Sequence, residues 1–125
     1  MSKAIIGISN WTTTTQGLRN LARRLDEGSY TPDADYHLNF ATPTQLFSEL
    51  SPKKLELLYR LKQEGPLSVY RLAKETSRNY SNVHGDIVRL LELELVEKDE
   101  KGRVFVPWDA VEIHAALTTP VTRAA

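Results

Sequence analysis

Between residues 78 and 89 the chain carries polar side chains of the kinds that read a nucleic acid. Arg78 and Asn79 precede Tyr80-Ser81-Asn82, and His84, Gly85 and Arg89 follow. Asn82 and Ser81 have donors and acceptors suited to base edges, while Arg78, Tyr80, His84 and Arg89 can reach phosphates or bases. The amides of a helix N-terminus would add affinity for phosphate. A second group, Lys98, Lys101 and Arg103, flanks a Gly-containing turn and could touch backbone phosphate beside a groove. Other chemistries find less support. The three histidines, His37, His84 and His114, lack the short spacing of a helical zinc motif, and metal sites usually need three or four ligands. His37 and His114 could meet only if their strands pair. There is no Gly-rich phosphate loop, nucleophile elbow or paired-carboxylate motif. His84 and Asp86, two apart on a helix, point in different directions, so Asp86 is expected to pair with Arg89 or Arg78 instead. No catalytic residue, cofactor or metal is expected, and the chain does not read as an enzyme.

These residues need elements to hold them. Val83, Ile87, Leu90 and Leu91 form the buried stripe of a helix that Asn79 can cap and that ends near Leu93. Before it, Ser68 caps a helix with Val69, Leu72 and Ala73 facing inward, broken at Thr76-Ser77-Arg78-Asn79. Ser51-Pro52, a cap residue followed by proline at the first helical position, opens an earlier helix. Its Leu55, Leu58, Tyr59 and Leu61 lead to a stop at Gly65-Pro66. Thr42-Pro43-Thr44 can open a short helix through Leu50, with Leu46, Phe47 and Leu50 as its apolar stripe. After the last helix, Leu95–Lys98 and Arg103–Val106 flank an Asp99-Glu100-Lys101-Gly102 turn and read as a β-hairpin. Three helices, a tight turn between the last two and then a hairpin are the order of a winged helix-turn-helix. In that motif the last helix enters the major groove by its N-terminal turns.

Outside this core, Ala4–Ile8 is short and rich in Ile and reads as a strand. Leu18, Leu21, Ala22 and Leu25 fall on one helical face after the hydroxyls of Thr12–Thr15, with Gly28 at the C-cap position. Arg19, Arg23 and Arg24 lie off that face. Tyr36, Leu38 and Phe40 alternate with His37 and Asn39, the period of a half-buried strand. Val111, Ile113, Ala115 and Leu117 also alternate, which favours a strand over the competing helix, and Thr118–Ala125 reads as a tail. The expected class is therefore α+β. A winged helix-turn-helix core occupies 43–107, a strand-helix-strand extension 1–42, and a C-terminal strand and tail 108–125. The outer strands exceed what such a core needs, so they should pair with each other or with a second subunit. A homodimer would present two recognition helices to a palindromic operator. A monomer with an extended core stays open, as does a partner protein added at the sheet edge or on the Arg19/Arg23/Arg24 helix.

Composition bounds the remaining possibilities. The 125 residues allow one domain, or one with a small appendage, and 41% hydrophobic content supports an ordinary core. Sixteen basic residues balance sixteen acidic ones, so the whole molecule exerts no strong pull on nucleic acid or membrane. Without cysteine there are no disulfides, thiol nucleophiles or thiolate metal sites. No apolar stretch approaches the ~18 residues of a membrane span, and the run after Met1-Ser2-Lys3 is too short for a signal peptide. A soluble protein of the cytoplasm or nucleoid is expected. Between Ser68 and Val106 seven Lys/Arg stand against seven Asp/Glu, so the module itself is neutral. Binding to DNA would then depend on cations clustered on one side and would be weak without the right sequence. A winged helix used only for protein contacts is the rival reading.

Four stretches carry a family resemblance. They are Phe47–Leu58, Gly65-Pro66-Leu67-Ser68, Tyr80-Ser81-Asn82-Val83-His84-Gly85-Asp86-Ile87, and Gly102-Arg103-Val104-Phe105-Val106-Pro107-Trp108-Asp109. Together they resemble a MarR-like winged-helix family described as DNA-binding transcriptional regulators, over Leu38 to about Leu117. Some members are encoded beside a small toxin and are read as antitoxins of the TumE-partner kind. The resemblance implies binding of operator DNA, repression of the chain's own operon and neutralisation of a cognate toxin. Gly85 departs from the pattern, because that place often carries a basic residue. A mid-helix glycine also costs about 1 kcal/mol relative to alanine. It could serve close backbone approach, or be a tolerated defect.

Overall fold

The computed structural model describes residues 2–8 and 35–118. It is mixed α+β, with four helices and two small sheets among the described residues. Two compact units divide it, one gathering the described parts of 1–49 and 110–125, the other Leu50–Asp109. The helix expected around Leu18–Leu25 lies outside the described residues. None of the described helices is long and apolar enough to cross a membrane.

The first unit is a three-stranded sheet in the order β2-β1-β5, with β1 at Lys3–Ile8, β2 at Tyr36–Phe40 and β5 at Ala110–His114. Both pairings are parallel. Ala4 stands opposite Tyr36 and Val111, and Ile6 opposite Leu38 and Ile113. Because side chains alternate across a strand, Ala4, Ile6, Leu38, Phe40, Val111 and Ile113 share one face. Lys3, Ile5, Gly7, His37, Asn39, Glu112 and His114 share the other. Ala4, Ile6 and Phe40 are buried. Helix α1, Pro43–Glu49, packs on β1 and β2 and buries Leu46. It opens as the sequence suggests: Thr42 Oγ1 accepts from the Gln45 amide, and Gln45 Oε1 accepts from the Ala41 amide. Two expectations fail here. Phe47 is 45% exposed rather than inward. The terminal alternation does not extend β5, which ends at His114 and leaves Leu117 73% exposed. His37 and His114 do not meet either, since β1 runs between their strands.

The second unit is built from α2 (Pro52–Glu64), α3 (Val69–Glu75), α4 (Tyr80–Glu92) and the hairpin strands β3 (Glu97–Lys98) and β4 (Val104–Phe105). Each helix starts at a side-chain cap. Ser51 Oγ accepts from the Lys54 amide, Ser68 Oγ from that of Arg71, and Asn79 Oδ1 from those of Ser81 and Asn82. Each such cap is worth about 1 kcal/mol. Their apolar sides make one core of Leu57, Leu58, Leu61, Leu72, Val83, Ile87 and Leu90, joined by Leu95, Val96 and Val104. Tyr59, expected on the inner stripe of α2, is 68% exposed, and Leu57 takes that place. The hairpin is shorter than the sequence suggests, two residues per strand. Leu95 and Val96 are both buried, so that run does not alternate. A further rung joins Leu67 to Val104 through bonds of 3.0 and 2.8 Å.

The hairpin turn is tied by one carboxylate. Asp99 Oδ1 accepts from the amides of Lys101 and Arg103, and Oδ2 from Arg103 Nε, each at 2.9 Å. Partial desolvation pushes this carboxyl up, but the Arg103 amide and guanidinium and the Lys101 amide outweigh it and hold it below the usual carboxylate range. Gly102 has φ +79°, which L side chains adopt only under strain. At the hairpin's exit, Trp108 Nε1 donates to the Glu94 carbonyl and Lys62 Nζ donates to the Trp108 carbonyl.

Candidate nucleic-acid interface

The buried stripe of α4 fixes what its opposite side shows. With Val83, Ile87 and Leu90 in the core, Ser81, His84, Gly85 and Val88 form an exposed row at helical spacing, flanked by Asn82 and Tyr80. Asn79, also exposed, is held in place as the N-cap. The Tyr80 and His84 rings, four residues apart, stack with centroids 5.9 Å apart and planes inclined by 25°. The band thus offers hydroxyl, carboxamide, imidazole and phenol groups from one rigid helix, none covered by the described chain.

The cations are disposed differently. Arg78 precedes α4, but its Nη2 bonds Asp86 Oδ2 at 2.7 Å, with the two side chains only 18% and 22% exposed. Arg89 Nη1 bonds Glu92 at 2.9 Å, and Arg103 is tied to Asp99. All three arginines read from the sequence as contacts are therefore engaged in ion pairs. Lys98 and Lys101 are exposed and form no ion pair among the described residues. The structure brings together Tyr80 with His84, Arg78 with Asp86, and Arg103 with Asp99. Lys98 and Lys101 stand on the hairpin.

Sequence reasoning did not single out a charged junction between α2 and α3. Arg71 Nε bonds Glu75 at 3.1 Å, and Arg60 Nη1 lies 3.8 Å from Glu64 and 4.0 Å from Glu75. The Arg71 guanidinium holds the Glu75 carboxyl below the usual range. The neighbouring Glu75 carboxyl pushes Glu64 up. The signal was available as i,i+4 pairs, Arg60 with Glu64 and Arg71 with Glu75, but the bridge between helices was not.

Gly85 sits mid-helix on the exposed row, and a Cβ added there would meet nothing within 4 Å. Its backbone is helical, so nothing in the fold requires glycine. Gly85→Ala is expected to stabilise the unit by about 1 kcal/mol in a urea melt. A ligand backbone approaching this point would feel the new methyl group. If this row contacts a duplex, affinity should then fall while stability rises, and a gain in both would remove Gly85 from the contact surface.

The model of the family HVO_A0114 matches residues 49–113, just over half of the chain. No curated protein and no solved structure matches it.

Proposed function

The chain belongs to the HVO_A0114 family, and we propose that its Leu50–Asp109 unit is a winged helix-turn-helix that binds double-stranded DNA as a transcriptional regulator. The observation that carries this reading is the exposed polar row of α4, beginning at a capped N-terminus and backed by a fully buried stripe. Asn82 and Ser81 are the candidates for base edges, and Tyr80 and His84 for phosphate or base. Lys98 and Lys101 would touch the backbone beside the groove. Repression of the chain's own operon and neutralisation of a cognate toxin, as the MarR-like resemblance implies, complete the proposal. A cytoplasmic, nucleoid-associated location goes with it.

A second reading has its own support. The Ser68–Val106 segment is neutral, and its three candidate arginines are already paired with carboxylates, which suits a winged helix used for protein contacts alone. Fluorescence anisotropy with the chain's native upstream DNA and a scrambled duplex, at two salt concentrations, separates the two. DNA binding requires preference for the upstream duplex and a loss of affinity with salt. If Asn82 reads a base, Asn82→Ala should cost about 1–3 kcal/mol on that duplex alone. Lys98→Ala/Lys101→Ala should weaken both duplexes and flatten the logarithmic salt slope by about two. Equal, salt-insensitive affinities, together with co-purification of a neighbouring gene product, would establish the protein-contact reading instead.

A further inference from the structure

We propose that the β2-β1-β5 sheet continues into a second copy of this chain by antiparallel pairing of β5 with its symmetry mate, the two-fold axis passing through Ile113. The inference stands apart from DNA binding. β5 is an outer strand of the sheet, with β1 on its inner side. Among the described residues nothing pairs the other edge of β5, and a partly apolar strand edge left unpaired invites a further strand. Ile113 is 38% exposed and Leu117, just beyond the strand, 73%.

Self-complementarity selects the register. A two-fold axis perpendicular to a sheet sets residues of the same face opposite each other, so the axis must pass through a residue of the strand. Centred on Glu112, the pairing would oppose two carboxylates. Centred on Val111 or His114, it would leave Glu112 opposite alanine. Centred on Ile113, it sets Ile113 against itself and Val111 against Ala115 on the apolar face, and Glu112 against His114 twice on the polar face. Like charges directly across an antiparallel pair are destabilising, whereas an imidazole N–H can donate to a facing carboxylate. Glu112 and His114 already bond each other at 2.8 Å within one strand, with Lys3 3.3 Å from the same carboxylate. In the separate chain, therefore, the Glu112 carboxylate keeps both of these partners.

The absence of native cysteine makes a direct test clean. Directly opposed residues of an antiparallel pair have Cα atoms about 4.5–5.5 Å apart, within the reach of a disulfide. In the full chain, mild oxidation of Ile113→Cys should convert most of the protein to a covalent dimer. Leu38→Cys, on the other outer strand, should stay monomeric on the same gel. Sedimentation velocity of the unmodified chain should show a concentration-dependent dimer. His114→Glu, which sets carboxylates against each other in both polar pairs, should raise its dissociation constant about tenfold or more. A monomer at every concentration, cross-linking through Leu38→Cys instead, or a dimer that Ile113→Cys fails to trap would each overturn the proposal.

Discussion

Leu90→Ala is expected to cost about 3 kcal/mol and to lower the melting temperature of the Leu50–Asp109 unit by roughly 12–24 °C. Leu90 is fully buried on the inner stripe of α4, where truncation both loses transfer energy and leaves a cavity. It also anchors the end of the helix. The Leu95 amide donates to the Leu90 carbonyl at 3.1 Å and that of Glu94 to the Leu91 carbonyl at 3.0 Å, a Schellman closure in which Leu90 and Leu95 occupy the positions that usually touch. Leu95 is fully buried as well. A small domain has only about 5–15 kcal/mol in total, so this one change removes a large share. Thermal and urea melts followed by circular dichroism measure it. A loss under about 1 kcal/mol would mean that the core collapses around the missing methyls and that α4 is not held by this stripe. Since the exposed row exists only because the opposite side is buried, the proposed duplex binding should fail over the same temperature range.

The elements of the second unit were legible because their signals are local. Ser51-Pro52, Ser68 and Asn79 read as caps and act as caps, since a hydroxyl or carboxamide oxygen meets amides only two or three residues ahead. The stops of α3 and α4 fall where the sequence places them, at Thr76–Asn79 and near Leu93, but the geometry that closes them is not announced. Ser77 at φ +54° and Glu94 at φ +63° take the left-handed position where glycine is the usual sign, so neither residue announces the turn. Hydropathy also misled where a large apolar side chain faces out. Tyr59 and Phe47 were placed on inner stripes that the close-packed leucines already fill. Two strands of the first unit could be read from alternation and Ala4–Ile8 from its short Ile-rich run, but their order could not. Pairing of Ala4 with Val111 spans nearly the whole chain, and no local pattern encodes it. Likewise the polar row of α4 follows from helical periodicity, whereas the engagement of its arginines depends on rotamers. Arg78 could be assigned to a phosphate or to Asp86 with equal ease.

That ambiguity is open to measurement through Arg78 itself. Arg78→Ala is expected to cost about 2 kcal/mol, because it leaves the Asp86 carboxylate, 22% exposed, without its 2.7 Å partner. Asp86→Ala should cost at least as much. It strands a guanidinium that is only 18% exposed and whose Nη1 has no bonding partner among the described residues. Removing both groups together should cost less than the sum of the single losses, since no unpaired charge then remains at the start of α4. The double variant also decides what Arg78 does. If the pair serves to brace α4 against the turn before it, Arg78→Ala/Asp86→Ala should recover much of the duplex affinity that either single change loses, in parallel with stability. If Arg78 leaves the pair to contact phosphate, Asp86→Ala should bind more tightly than the unmodified chain. The double variant should then stay weak, with its salt slope reduced by about one. The distance and burial of the pair favour bracing. The expected result is therefore recovery in the double variant, read by anisotropy at a temperature where all four proteins are folded.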